Sequence, residues 1–377
     1  MNSRIKKVLR LIRQEDADAL LVWNHEGSGQ PATQWLSGFS GSWSVLLISP
    51  RHRMLWTDGR YSAQVTTEAR EFQIDIVSGS AGVLDMIGGE ILKGGIQKIL
   101  FDGRVTSYNS VEELQQWFSH RQKTPPHPRR GKETVHIISR KGMLQELRLV
   151  KEKNELDILA EAARITGRVF TRLVSGIIAG MTEQEIAYRI EMLVREEGAE
   201  GMSFPAIVAS GKNGAFPHAH PTGKKIRKGE LVTVDFGVRY RGYVSDMTRT
   251  VAIGRISPQL RTMYMAVQNA QELGCKKAKA GMTGAEIDAV CRNYLTKRGF
   301  GKYFTHSTGH GIGMEVHELP NISPHHTTSL PVRSVITCEP GIYIHGVGGV
   351  RIEDALILTK SGTINLTGFV SKELIAL

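Results

Sequence analysis

Cysteine is scarce, with three in 377 residues: Cys275, Cys291 and Cys338. The number is odd and the spacing matches no metal motif, which excludes a disulfide-stapled scaffold and points to a reducing compartment. Long apolar runs are missing too, none approaching the roughly 20 residues a membrane span needs. The N-terminus, MNSRIKKVLRLIRQEDADALLVW, is basic but lacks a continuous apolar region followed by a small-residue cleavage site. It reads as an amphipathic helix and a strand rather than a signal peptide. A soluble, cytoplasmic protein with no membrane partner is expected. Acidic residues are outnumbered, 37 against 48 Lys and Arg, for a net charge of +11. That raises a nucleic-acid partner. The densest basic runs, Arg129-Arg130-Gly131-Lys132 and Lys224-Lys225-Ile226-Arg227-Lys228, have no interleaved aromatics and no surrounding binding motif. They read as solvated surface, and no nucleic acid is expected.

Tryptophan is absent after Trp117, all five (Trp23, Trp35, Trp43, Trp56 and Trp117) lying before that point. The chain is too long for one average domain, and its 41% hydrophobic and 23% charged residues exclude a disordered or fibrous chain. Up to about residue 120, helical patterns at roughly 3–14, 60–69, 81–92 and 109–119 alternate with the apolar runs ADALLVW, SVLLIS, FQIDIV and KILFDG. That alternation predicts an α/β unit. The segment TPPHPRRGKET, 124–134, cannot be a helix interior and reads as a linker. Domains at 1–133 and 134–377 follow. From about 142 to 177 apolar residues recur at helical spacing, interrupted once, and this stretch offers no candidate chemistry of its own.

The stretch Leu231–Thr250, LVTVDFGVRYRGYVSDMTRT, has two β-branched runs around Tyr-Arg-Gly and predicts a hairpin. Each run holds one carboxylate where a strand prefers none, Asp235 and Asp246. Eleven residues apart, they are expected opposite each other on one face, Cβ atoms roughly 5 Å apart. Carboxylates so close repel unless a cation lies between them. An internal repeat supports a second such pair. Gly180-Met181-Thr182-Glu183-Gln184-Glu185-Ile186 recurs as Gly281-Met282-Thr283-Gly284-Ala285-Glu286-Ile287, five identities in seven positions, each with a Thr-x-x-Glu capping box. At similar offsets, Asp235 matches Glu339 in ITCEPGIY and Asp246 matches Glu353 in VRIEDALIL. The C-terminal domain thus reads as two related halves whose carboxylates meet at one site. Between the pairs comes HSTGHGIGMEVHE, with His306, His310 and His317; its glycines disfavour a helix and let backbone approach a ligand. Arg351, two before Glu353, shares its strand face.

Asp235, Asp246, Glu339 and Glu353 with one imidazole suit two divalent ions, Mn, Fe(II), Co or Zn, and imply no soft thiolate ligand. Two ions so held activate water and polarise a carbonyl, as in metal-dependent hydrolases. Asp235-Phe236-Gly237 is not a kinase motif, because no nucleotide loop accompanies it, and the glycines at 309–313 do not have dinucleotide-binding spacing.

These five residues resemble the metal ligands of the pita-bread metallopeptidases, which include methionine aminopeptidase, Xaa-Pro aminopeptidase and prolidase. WLSGFSGS (35–42) and LWTDGRYSAQ (55–64) resemble the creatinase-like N-terminal domain. The resemblance covers essentially the whole chain. It implies an α/β N-terminal domain followed by an α+β pita-bread catalytic domain with two related halves. HSTGHGIGMEVHELP with SGKNGAFPHAHP is most similar to Xaa-Pro aminopeptidases. The implied activity is hydrolysis of the Xaa-Pro bond at the N-terminus of peptides by a metal-bridging hydroxide, with two ions, Mn first and Co, Zn or Fe as alternatives. Implied roles are metal ligation by Asp235, Asp246, His310, Glu339 and Glu353, and proton shuttling by Glu339. His218 would stabilise the oxyanion, ahead of His220; His317 would contact the substrate carbonyl. His306 would line the proline-side pocket, and Arg351 would stand on the substrate side while supporting the ligand carboxylates. A homodimer is also implied. Prolidase, restricted to dipeptides, is the alternative activity, and a binding module without turnover is the alternative class; retention of all five ligands speaks against the latter.

Overall fold

Asn2 opens the first helix: its side chain accepts from the Arg4 amide at 3.0 Å, filling one of the donors a helix start leaves unpaired. The computed structural model describes residues 2–28, 31–78, 80–123 and 134–377. The chain forms two compact units, Met1–Leu147 and Arg148–Leu377. No helix among the described residues is long and apolar enough to cross a membrane.

In the first unit, β1 (Ala19–Asn24) and β2 (Ser44–Ile48) are buried along their length, as unbroken apolar runs require of central strands. With β3 (Arg53–Asp58), β4 (Gln73–Val77), β5 (Lys98–Phe101) and β6 (His136–Ser139) they form one sheet in the order β4-β3-β2-β1-β5-β6. The β1–β2 and β2–β3 pairs are antiparallel; β3–β4, β1–β5 and β5–β6 are parallel. Its helices are α1 (Ser3–Gln14), α2 (Ala32–Ser37), α3 (Ser62–Glu68), α4 (Ser80–Lys93) and α5 (Tyr108–Lys123). The anticipated spans are met within a few residues; the six-residue α2, too short to show periodicity, and the strands β3 and β6 lie outside the anticipated runs. Trp35 and Trp56 are core residues.

Of the segment 124–134, expected to be a linker, residues 124–133 lie outside the described residues, as does the basic run within it. The first unit extends past 133 for a structural reason. Strand β6 adds to the sheet edge, and the buried Asp102, just after β5, accepts from the amides of Gly142 (2.8 Å) and Leu144 (3.0 Å) at the start of α6 (Met143–Arg148).

The second unit has the repeat the sequence announces. Its first half contains α7 (Lys153–Val174), α8 (Glu183–Glu196), β7 (Gly201–Met202), β8 (Ile207–Ser210), β9 (Leu231–Phe236), β10 (Val238–Tyr240), β11 (Tyr243–Val244) and β12 (Met247–Ala252). Its second half contains α9 (Pro258–Lys277), α10 (Gly284–Lys297), β13 (Gly309–Gly311), β14 (Glu318–Ile322), β15 (Val335–Cys338), β16 (Gly341–Ile344), β17 (Gly348–Arg351), β18 (Asp354–Leu358) and β19 (Thr363–Asn365). Both capping boxes form: Thr182 Oγ1 accepts from Glu185 N and Thr283 Oγ1 from Glu286 N, each at 3.1 Å. Each half has its own core, one gathered around Val169, Ile190 and Val234, the other around Val267, Ile287 and Ile336.

The hairpin forms with a different register from the one expected. Asp235 pairs with Thr248 and Met247 with Phe236, and beyond them Tyr240 pairs with Tyr243. The turn is therefore Arg241-Gly242, both with positive φ (49° and 77°), a two-residue hairpin turn whose second position glycine fills without steric penalty. A turn one residue earlier would have set Asp235 opposite Asp246. Instead Asp246 sits two residues from Asp235's partner, a diagonal neighbour on the same face. The equivalent pair in the second half is in direct register. Cys338 pairs with Asp354 and Gly341 with Arg351, so Glu339 and Glu353 face each other between them.

Candidate metal centre

The backbone amides of Glu339 and Glu353 do not join their own ladder. Glu339 N donates to Thr308 O (2.8 Å), and Glu353 N donates across the halves to Thr248 O (3.1 Å). This junction brings the carboxylates of both halves onto one cavity of about 470 Å³, whose wall includes Asp235, Asp246, His310, Glu339, Glu353 and Arg351. One donor atom each from Asp246, His310 and Glu353 lie within 4.8 Å of one another. His310 is aimed by its own backbone: Nδ1 donates to Gly311 O at 3.1 Å, leaving Nε2 toward Glu339 Oε1 (3.3 Å) and Asp246 Oδ2 (3.7 Å).

The electrostatics describe a cluster short of positive charge. Burial raises the Asp246 carboxyl well above its ordinary range, and the neighbouring Asp235 charge adds to the rise. Burial does the same at Glu353, reinforced by Asp246 and Glu339. At Asp235 burial raises the pKa against the pull of Arg351. Burial also opposes ionisation at Glu339 and His310, but their mutual contact prevails, lowering Glu339 to about 2 and raising His310 to about 9. Asp235 Oδ1 and Glu353 Oε1 are buried with no hydrogen-bond partner. Buried carboxylate oxygens without donors are costly. Hard oxygens plus one imidazole nitrogen are the donor set of a Mn-, Fe-, Co- or Zn-type ion, so the residues fit the implied metal.

Residues outside the expected ligand set hold these groups in place. Thr248 Oγ1 donates to Glu353 Oε2 (2.7 Å) and accepts from Arg351 Nε (3.2 Å). Arg351 also donates to Asp235 Oδ2 (2.6 Å), to Tyr343 Oη (2.8 Å) and to Pro217 O (3.1 Å). Its guanidinium is thus engaged by protein acceptors, which suits the supporting role better than substrate contact. Tyr343 Oη passes the chain on to His306 Nε2 (2.9 Å), whose Nδ1 donates to Ser307 O (2.8 Å). Burial lowers the His306 pKa, keeping the ring neutral. Asp288 on α10 fixes the glycine-rich strand by accepting from Thr308 N and Oγ1, both at 2.9 Å.

His218, His306 and His317 all lie on the cavity wall with His310; His220 does not. The His310 and His317 rings are 4.3 Å apart. Sequence reasoning missed Thr248, Tyr343, Asp288 and the wall residue Asn321. Thr248 was within reach, being two residues from Asp246 and so on its face. Tyr343 sits in an ordinary apolar strand, and nothing in its local pattern marks it. The stretch thought to carry no chemistry contributes Arg148 and Lys151, both buried and paired with Glu318. The three cysteines are free and buried.

A family model described as metallopeptidase family M24 matches residues 157–360, and one described as the creatinase/prolidase N-terminal domain matches residues 4–128. An uncharacterized peptidase of Bacillus subtilis, YqhT, is 36% identical over 99% of this chain and 100% of its own. Among solved structures, an Xaa-Pro dipeptidase from Bacillus anthracis superposes with a TM-score of 0.90 at 36% identity, covering 99% of both chains. An X-Pro aminopeptidase from Thermotoga maritima does so at 0.89 and 35%, covering 100% of both.

Proposed function

The chain belongs to metallopeptidase family M24, with a creatinase-type N-terminal domain and a pita-bread catalytic domain, and from that premise we propose that it is a metal-dependent aminopeptidase releasing the N-terminal residue from Xaa-Pro peptides. The observation that carries aminopeptidase over dipeptidase is the charge of the cavity wall. Among the described residues its one Lys or Arg is Arg351, already engaged by Asp235, Thr248, Tyr343 and Pro217. A dipeptide's terminal carboxylate finds no unengaged guanidinium or ammonium there, whereas neutral Asn321 suits the amide of a continuing chain. The dipeptidase reading has in its favour the name of the Bacillus anthracis structure.

Asp235, Asp246, His310, Glu339 and Glu353 would hold the ions, Mn first among Mn, Co, Zn and Fe. Bound there, the cations acidify a water and polarise the scissile carbonyl. Glu339, ionised and beside His310, accepts the proton of the attacking water and returns it to the leaving nitrogen, a secondary amine that departs poorly unless protonated. His218 and His317 donate to the developing oxyanion; losing one such donor typically costs about 2.7–4 kcal/mol of barrier. His306, kept neutral and oriented by Tyr343 and Ser307, faces the proline side. A cytoplasmic homodimer belongs to the same reading, the three free thiols suiting a reducing compartment.

The test is cleavage of an Xaa-Pro-Yaa tripeptide beside the matching Xaa-Pro dipeptide, after chelation and then with Mn or Co. Metal-dependent release of Xaa from the tripeptide is expected. Cleavage of the dipeptide alone would make the protein a prolidase. If neither is cut and wild type does no better than Asp246→Asn, the chain is a binding module.

A further inference from the structure

Glu318 directly follows His317, and its carboxylate is almost wholly enclosed, at 1% side-chain exposure. It turns back into its own loop, where Oε1 accepts from Met314 N (2.9 Å) and Glu315 N (3.1 Å). The fit is close enough that a Cβ on Gly313 would lie 2.5 Å from Glu318 Oε2. From the other side, Lys151 Nζ donates to Oε2 at 3.0 Å, Arg148 Nε lies 3.3 Å from Oε1, and Arg148 Nη2 pairs with Glu315. Lys151 and Arg148 are themselves 1% and 3% exposed. The loop 313–318 is therefore wrapped around one carboxylate and held by two cations from the first residues of the second unit. His317, which lines the cavity, is carried on that loop.

Stability alone is a weak reason for such an arrangement. A buried ion pair commonly gains little over well-packed apolar groups, because desolvation offsets the attraction. Directional bonds do fix a backbone path, and here they fix the connection between β13 and β14 that carries His317. We propose that Arg148, Lys151 and Glu318 are positioning residues for His317, setting the imidazole against the scissile carbonyl without touching substrate. The inference rests on the assignment of His317 as a donor to that carbonyl. Misplacing a reacting group by about 1 Å lowers turnover by up to roughly 100-fold, a scale that makes such a clamp functional.

The experiment pairs Lys151→Met/Glu318→Gln, which removes the central ion pair while roughly keeping volume, with His317→Ala. In the otherwise wild-type enzyme kcat on an Xaa-Pro-Yaa tripeptide should fall by roughly 10- to 100-fold with KM changed less. In the His317→Ala background the same pair should produce no further fall. The His317 imidazole NMR signal of the zinc-loaded protein, assigned by its loss in His317→Ala, should shift or broaden in the pair variant. An equal fall in both backgrounds, or an unmoved His317 signal, overturns the proposal. If wild type cleaves no Xaa-Pro peptide, the proposed function fails while the NMR arm still decides the clamp. Should the pair variant not fold, Arg148→Lys, which keeps the charge but cannot reach Glu315 and Glu318 together through two nitrogens, takes its place in the same measurements.

Discussion

Thr248 places one hydroxyl between two charged side chains, donating to Glu353 and accepting from Arg351. Thr248→Val keeps the shape and deletes both bonds. It should lower metal affinity about 10- to 100-fold, the usual loss when a partner behind a ligand is removed. Metal titration against a competing chelator measures this; unchanged affinity would show that Glu353 needs no second partner. Glu318 supports a prediction about acid. Burial pushes its carboxyl up, but the charges of Lys151 and Arg148 outweigh that and leave it below the ordinary value. A carboxylate lowered on folding stabilises above its unfolded value, about 4.3, and the contribution disappears as pH falls through the lower, folded value. Wild type should therefore lose its stability advantage over Lys151→Met/Glu318→Gln on acidification from neutral pH to below about 4. Urea midpoints of both proteins across that range decide it, and a pH-independent gap would refute the assignment.

At the level of elements, the two capping boxes were legible because all their information lies within four residues. Thr283→Ala should destabilise by about 1 kcal/mol, read as a shift in denaturant midpoint without a change of slope. The hairpin was legible as a hairpin but not in register. Its runs say which residues are apolar, while the pairing depends on whether the turn closes at Tyr240-Arg241 or Arg241-Gly242. Gly242 holds φ at 77°, so Gly242→Ala should cost about 1–2 kcal/mol. It should also weaken metal binding if the turn relaxes by moving one residue, because that shift changes which positions face Asp235. Thermal melts with and without metal separate the two effects.

For the molecule as a whole, the two halves of the second unit approach each other through carboxylates that repel until a cation is bound. Metal should therefore stabilise the fold by mass action, by about 2.7 kcal/mol at a free concentration 100 times Kd. Adding Mn or Co to chelated protein should raise Tm with concentration, and Asp246→Asn should blunt the rise. A Tm indifferent to metal would mean that the centre does not bind it. The surplus of basic residues does not line the site, whose wall holds Arg351 and no other Lys or Arg among the described residues.

The sequence by itself determined the kinds of element and the kinds of ligand. Alternating apolar periods specified the α/β first unit, the repeated Gly-Met-Thr stretch announced two halves, and carboxylates in β-branched runs around a glycine- and histidine-rich stretch pointed to a set of groups that the structure brings onto one cavity wall. These are local properties, written in spacing along a few residues. The tertiary structure alone decided partners. Thr248 meets Glu353 across 105 residues, and Lys151 meets Glu318 across 167. A period states which face a side chain occupies, but not which distant face will be pressed against it. The limit of the first unit, the register of the hairpin, the engagement of Arg351 and the clamp behind His317 all depend on that second fact, because a buried polar group takes whatever complementary group the packing brings within hydrogen-bond distance.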